Sequence, residues 1–169
     1  MIIKLILSVS LAPFFLSTAT AQKLFVSPET KLITCDTIIN AEKTADELFD
    51  KATSWFVEYF PRGGNIQSAV KPNLIRGSYT IAYSFSMSKQ SYRSDILLKI
   101  KDGAIKITID NMTTLKSNGE DSYHIEWMGT KGGKVKTGAM YAKTNNQIEA
   151  QFKALVTNLR AYIDKKSDF

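Results

Sequence analysis

The stretch Leu97–Asp110, LLKIKDGAIKITID, limits the possible folds more than any other part of the chain. Asp102-Gly103 is a two-residue hairpin signal, because both positions tolerate positive φ. A turn there sets the register: Ile100 faces Ile105, Leu98 faces Ile107, and Ile96 faces Ile109. Every pair on that side is apolar, and each contributes about 0.2–1 kcal/mol. A one-residue slip would throw the whole set to the other side. The pattern therefore predicts an antiparallel hairpin with one buried face.

Upstream, GSYTIAYSFSMS alternates apolar and polar residues. Tyr79, Ile81, Tyr83, Phe85 and Met87 share one side; Ser78, Thr80, Ala82, Ser84 and Ser86 share the other. That is a strand with one buried and one wet face. A turn over Ser88–Ser91 joins it to the hairpin, placing Met87 by Tyr92, Tyr83 by Ile96, and Ile81 by Leu98. On the outward side Ser86 then lies opposite Arg93, Ser84 opposite Asp95, and Thr80 opposite Lys99. Across the hairpin Lys99 lies opposite Lys106, and Asp95 opposite Asp110. Like charges so placed are unfavourable, although exposed lysines can bend away into water.

Helical signals flank these strands. Thr44-Ala45-Asp46-Glu47 fits a capping box. Ala45, Leu48, Phe49, Ala52, Trp55, Phe56, Tyr59 and Phe60 follow at helical spacing. Pro61 and Gly63-Gly64 end that helix. Its aromatic stripe reads as core, because it lies on the only face that can bury. Leu32–Asn40 is β-branched and reads as the first strand, and Ile66–Val70 as a short one before the Lys71-Pro72-Asn73 turn. Residues 116–143 carry five glycines and break the pattern, apart from a candidate strand in YHIEWM. A long Gly/Lys-rich loop or loosely held hairpin is expected there. A last helix is expected from Asn145, with Ile148, Phe152, Leu155, Leu159, Tyr162 and Ile163 on one stripe. The order β-α-β-β-β-β-α gives an α+β domain, an antiparallel sheet with two helices packed on one face.

The stretches ELFDKATSWFVEYF, LIRGSYTIAY and LLKIKDGAIKITIDNM, within residues 41–115, resemble a secreted family of unknown function. That family is common in gut- and mouth-dwelling Gram-negative bacteria and has a fold like the TATA-binding protein. The resemblance implies a TBP-like sheet. It carries over no activity and no functional residues, and a shared fold name implies nothing about DNA binding.

Residues 1–21 read as a signal peptide: Lys4 in a short basic start, the apolar run LILSVSLAPFFLS, then Ala19-Thr20-Ala21 before the cut. Residues 22–169 then form a single domain, long enough to bury one core. No later segment is apolar enough to span a membrane. Export places the protein in the periplasm, outside the cell or at its surface. The net charge of +6 loses one unit with Lys4. It permits attraction to anionic surfaces without demanding it, and no dense basic cluster argues for nucleic acid.

Little here points to catalysis or cofactors. Cys35 is the single cysteine, so no internal disulfide forms, and its setting in LITCDTIIN suggests a buried, inert thiol. His124 is the single histidine. A zinc site needs three or four nitrogen or sulfur ligands, so no metal site is expected. No G-x-S-x-G elbow is present, and GTKGGKVKTG lacks the Gly-Lys-Ser/Thr ending of a phosphate loop: Gly133-Lys134 is followed by Val135, and Lys136-Thr137 follows Val135. The expected function is a non-enzymatic binding or accessory module of the bacterial envelope. Its ligand contact would be the wet sheet face, with Thr80, Arg93, Lys99 and Lys106, covered by a loop bearing Lys131, Lys134 and Lys136. The partner would be an envelope protein or an anionic glycan. A hydrolase of envelope or dietary polymers and a structural subunit of an envelope complex are the alternatives.

Expressed whole in a Gram-negative host, the protein is expected to leave the cytoplasm and lose residues 1–21. Intact-mass measurement should find a chain beginning at Gln22. A membrane-bound product retaining Met1 would overturn the export reading.

Overall fold

The computed structural model describes residues 23–60, 64–85, 88–116, 121–124 and 134–165. The expected leader, Ser86 and Met87 of the alternating strand, and residues 117–120 and 125–133 of the expected loop, Lys131 among them, lie outside these. In chain order the elements are β1 (Phe25–Val26), β2 (Ile33–Asn40), α1 (Ala45–Tyr59), β3 (Gly64–Val70), β4 (Leu74–Phe85), β5 (Ser88–Lys101), β6 (Ala104–Leu115), β7 (Asp121–His124) and α2 (Ala139–Asp164). The expected order thus gains β1, while β7 takes in Tyr123 and His124, the described part of the candidate strand YHIEWM.

The hairpin forms in the expected register. Ile96 pairs with Ile109, Leu98 with Ile107, and Ile100 with Ile105. Of the two turn residues only Gly103 takes a positive φ, at 78°. The two-residue turn forms as expected, closed by the pair Lys101 and Ala104, with the φ pattern of a turn whose second central residue alone must be glycine-like. The turn is docked on the chain entering α1. Gly103 N–H donates to the Lys43 carbonyl (2.9 Å), and Ala41 N–H donates to the Gly103 carbonyl (3.0 Å). Asp102 Oδ1 accepts from the first helical amide, Ala45 N–H, at 2.7 Å.

The β4–β5 register differs from expectation. The chain reverses between Phe85 and Ser88, which pair with each other, so Ser88–Ser91 lies inside β5. Ile81 pairs with Tyr92, Gly77 with Ile96, Ile75 with Leu98, and Thr80 with Arg93. The polar run Ser-Lys-Gln-Ser suits a loop or an exposed strand equally, and pairing satisfies its backbone groups in the ladder. The displacement is an even number of residues, so Tyr79 stays inward and Ser78 and Thr80 outward, as expected.

The sheet order is β1-β2-β6-β5-β4-β3, with β7 also on β6. Every pairing is antiparallel. One edge of β6 carries β5 throughout. Its other edge carries β2 along Ala104–Ile109 and β7 along Thr113–Leu115. The change of partner occurs at a bulge where Asn111 and Met112 together oppose Ser94, with Asn111 at φ 49°. Asparagine is among the few residues that adopt this conformation readily.

Both helices lie under one face. At the start of α1, Thr44 N–H donates to Glu47 Oε2 (2.9 Å), and Glu47 N–H donates to Thr44 Oγ1 (3.3 Å). This completes the expected capping box. Leu48, Phe49, Ala52, Trp55 and Phe56 are buried. On α2, Ile148, Phe152, Leu155, Val156, Leu159 and Ile163 join the same cluster as Ile75, Tyr79, Tyr92, Ile96, Leu98, Ile105, Ile107 and Ile109 of the sheet. Trp55 Nε1 donates to Asn158 Oδ1 (2.8 Å), tying the helices to each other. Helix α2 starts at Ala139, not at Asn145, which shortens the expected loop. Asn145 is a good cap residue by type, but it is buried inside α2 and donates Nδ2–H to the Lys136 carbonyl (2.7 Å). The residue that propensity would place at the cap thus bonds back, through its amide N–H, to the segment that leads into the helix.

Gly77 lies on the inner face, where the Phe56 ring fills the place of its missing side chain. A Cβ there would stand 2.3 Å from Phe56 Cζ and 2.7 Å from the Asn65 carbonyl oxygen. Gly77→Ala is therefore expected to destabilise by about 1–3 kcal/mol through overpacking. Leu98→Ala should lose about 2–5 kcal/mol through a cavity. Urea unfolding midpoints check both; a Gly77→Ala protein as stable as wild type would contradict the Phe56 contact.

Candidate functional site: the open face of the sheet

The inward residues of β2, β4, β5 and β6 are consumed by the core, so the alternate residues form the opposite face. Neither helix packs on it. Its layout follows from the pairings, which align residues in rows across five strands. One row runs Ile38, Lys106, Lys99, Leu74, Val70 from β2 to β3. The next runs Asp36, Thr108, Leu97, Arg76, Ser68. A third holds Asp110, Asp95, Ser78 and Asn65. Beyond it Thr113, Arg93 and Thr80 align.

Of the four sheet residues expected to act together, the structure joins two pairs and separates them. Lys99 lies opposite Lys106, as expected. Thr80 lies opposite Arg93 rather than Lys99, a correction that follows from the β4–β5 register. Arg93 and Lys99 are six residues apart on one strand, roughly 20 Å at strand rise. Lys99 and Thr80 are exposed, and Arg93 is partly buried. Lys106 reaches diagonally to Asp36, with Nζ 2.7 Å from Oδ2.

The expected loop lysines are placed differently. Lys136 sets its ammonium 5.2 Å from the Tyr141 ring centre on α2. Val135 beside it packs against the core. The described end of the loop, residues 134–138 with exposed Lys134, thus runs with α2 on the helix side rather than over the open face.

Asp95 and Asp110 are directly opposite on this face. Asn111 Nδ2 donates to Asp95 Oδ2 at 3.0 Å. Partial burial, first, and the Asp95 charge, second, raise the Asp110 pKa above the ordinary carboxylate value, while Arg76 pulls it down. Arg76, Asp36, Ile38 and Val70 were not singled out in the sequence. Extending the alternation of Ser78 and Thr80 by one step would have reached Arg76. The others depend on which strands neighbour β4 and β6, which no local pattern states.

Cys35 is fully buried and free. Burial, with lesser contributions from the charges of Glu149 and Asp36, pushes its thiol up to about 12. A thiol so protonated is a poor nucleophile near neutral pH. His124 ends β7 opposite Thr113. Among the described residues, no three His, Cys, Asp or Glu side chains converge as a metal site would require, and no helix is long and apolar enough to cross a membrane.

No family model matches the chain, and comparison with curated proteins gives no match. Solved structures do share its fold. A DUF4468 family protein from Bacteroides ovatus superposes with a TM-score of 0.64 at 13% identity, covering 82% of this chain and 90% of that one. A TBP-like protein from Parabacteroides distasonis gives 0.65 at 12% identity, covering 84% and 99%. The chain thus has a TBP-like α+β fold, as the sequence resemblance implied. At these identities the likeness speaks to fold alone.

The Asp95–Asp110 repulsion has a pH signature. A raised carboxyl pKa in the folded state contributes stability that is complete below the unfolded value, about 3.9, and is lost as pH rises through the folded value. Asp110→Asn should therefore match wild type at low pH and exceed it at pH 7. The gain should be on the order of 0.5 kcal/mol, the size of a cross-strand pair in partly solvated surroundings. Urea unfolding across that pH range checks it; parallel pH curves for the two proteins would refute the repulsion.

Proposed function

We propose that this protein is a non-enzymatic, exported binding module of the bacterial envelope, working in the periplasm or at the cell surface. Its ligand is an anionic polysaccharide held on the open sheet face. The observation that carries the reading is the row Ile38, Lys106, Lys99, Leu74, Val70. Two lysines are cross-strand neighbours at its centre, with the Lys106 ammonium drawn to Asp36, and at its ends Ile38 and Val70 are 60% and 58% exposed. A chain of sugar units lying across the strands would meet cations at the middle of the row and apolar surface at both ends. Asp95 and Asp110 would repel it from one side and so fix its path. Thr80 and Arg93, further along the strands, would form a separate contact.

The Asp95–Asp110 pair supports a second reading, hydrolysis of envelope or dietary polymers. Two carboxyl groups with unlike surroundings, one with its pKa raised, are what acid-base cleavage of a glycosidic bond requires.

Calorimetric titration of the protein with polygalacturonate and with heparin tests both readings. Wild type should bind one or both, and Lys99→Glu/Lys106→Glu should bind roughly tenfold more weakly or worse, a change of about 1.4 kcal/mol. Equal binding by the two proteins ends the binding reading. Release of reducing ends that Asp110→Asn abolishes would establish the hydrolase instead.

A further inference from the structure

The open face carries two like-charge pairs of opposite sign in a regular arrangement. Lys99 and Lys106 face each other across β5 and β6; four residues along the same two strands, Asp95 and Asp110 do the same. That separation is ~13 Å at strand rise. Midway between them lies the row containing Leu97 and Thr108, which are uncharged. Within one molecule each pair is unfavourable. Asp36 relieves Lys106. The described contacts give Lys99 no such relief, and Arg76 offsets only part of the Asp110 repulsion.

We infer that the partner of this face includes a second copy of the same chain, docked face to face about a two-fold axis along the Leu97–Thr108 row. Such an axis leaves each strand over its own counterpart and exchanges the two ends of the face. Lys99 then lies over Asp95 of the other copy, and Lys106 over Asp110. By symmetry the aspartates of the first copy meet the lysines of the second. Four cross-copy ion pairs replace four like-charge juxtapositions, as an isologous interface requires. Leu97 and Thr108 meet their own equivalents on the axis. Asp36 and Arg76 lie on the axis row too and so face their own equivalents; Lys106 and Asp110, shared between their own chain and the other copy, offset those two like-charge contacts. Sheets packed face to face lie ~10 Å apart, a gap that a lysine and an aspartate reaching from opposite sides can bridge.

The dimer uses the lysines assigned above to a polysaccharide, so the two occupants compete for one face. It does not depend on that ligand existing. Charge reversal separates the two ideas. Lys99→Glu/Lys106→Glu makes the face wholly acidic in its paired rows; Asp95→Lys/Asp110→Lys makes it wholly basic.

The test is light-scattering mass measurement on each protein, with circular dichroism to confirm folding. Wild type is expected at twice the single-chain mass in low salt and should shift toward monomer as salt screens the pairs. Each double variant should be monomeric alone, and an equimolar mixture of the two should recover the doubled mass. A monomeric wild type overturns the inference. So does a mixture of the two folded variants that stays monomeric, or a double variant that dimerises as wild type does. Asp95→Lys/Asp110→Lys keeps both lysines and so should still bind polygalacturonate or heparin. Loss of dimer with ligand binding intact, or the reverse, shows which of the two readings has failed.

Discussion

The reversal at Asp102–Gly103 is the constraint on which the other elements rest. It joins the two central strands, and the three hydrogen bonds that it makes reach outside the hairpin to Ala41, Lys43 and Ala45. The turn therefore fixes where β2 ends and where α1 begins. Asp102 acts twice, once in the turn and once as an acceptor for an amide at the helix N-terminus, where a carboxylate is favoured by the helix dipole. With α1 held at that point, its stripe falls beneath Ile75, Ile96 and Leu98, and Gly77 leaves room for Phe56.

The same register dictates the chemistry of the other face. Side chains alternate along each strand, so bringing Leu98 to Ile107 inside also brings Lys99 to Lys106 and Asp95 to Asp110 outside. No local adjustment separates the two results, because slipping the outer residues would also slip the core. Inward burial is worth far more than the outward repulsion: a buried leucine or isoleucine gains about 1.5–3 kcal/mol, against a few tenths for a solvated charge pair. The charge pattern of the open face persists as a by-product of the core, and is available for use.

Much of this was legible in the sequence. The hairpin, the capping box and the stripes of both helices are local patterns, each confirmed by a second pattern beside it. The strand faces were legible for the same reason, and survived even where the β4–β5 turn was misplaced, since an even slip preserves them. The misplaced turn came from Ser88–Ser91, a run whose composition suits a loop and an exposed strand alike. The start of α2 was missed because Asn145, a cap residue by type, bonds back to Lys136 from inside the helix. The bulge at Asn111, where β6 changes partner, had no visible signal, because asparagine is common in turns and strands end there as often as they bend.

By itself the sequence determined which residues lie together on one side of each element, because period-two and period-3.6 patterns depend only on neighbours along the chain. It also determined that β5 and β6 pair in a single register. Only the tertiary structure decided that β2 lies beside β6 and that α1 meets α2 through Trp55 and Asn158. Those choices join residues far apart in sequence, and many strand orders would bury the same inward side chains equally well. For that reason the Ile38 to Val70 row, drawn from five strands, exists only in the fold.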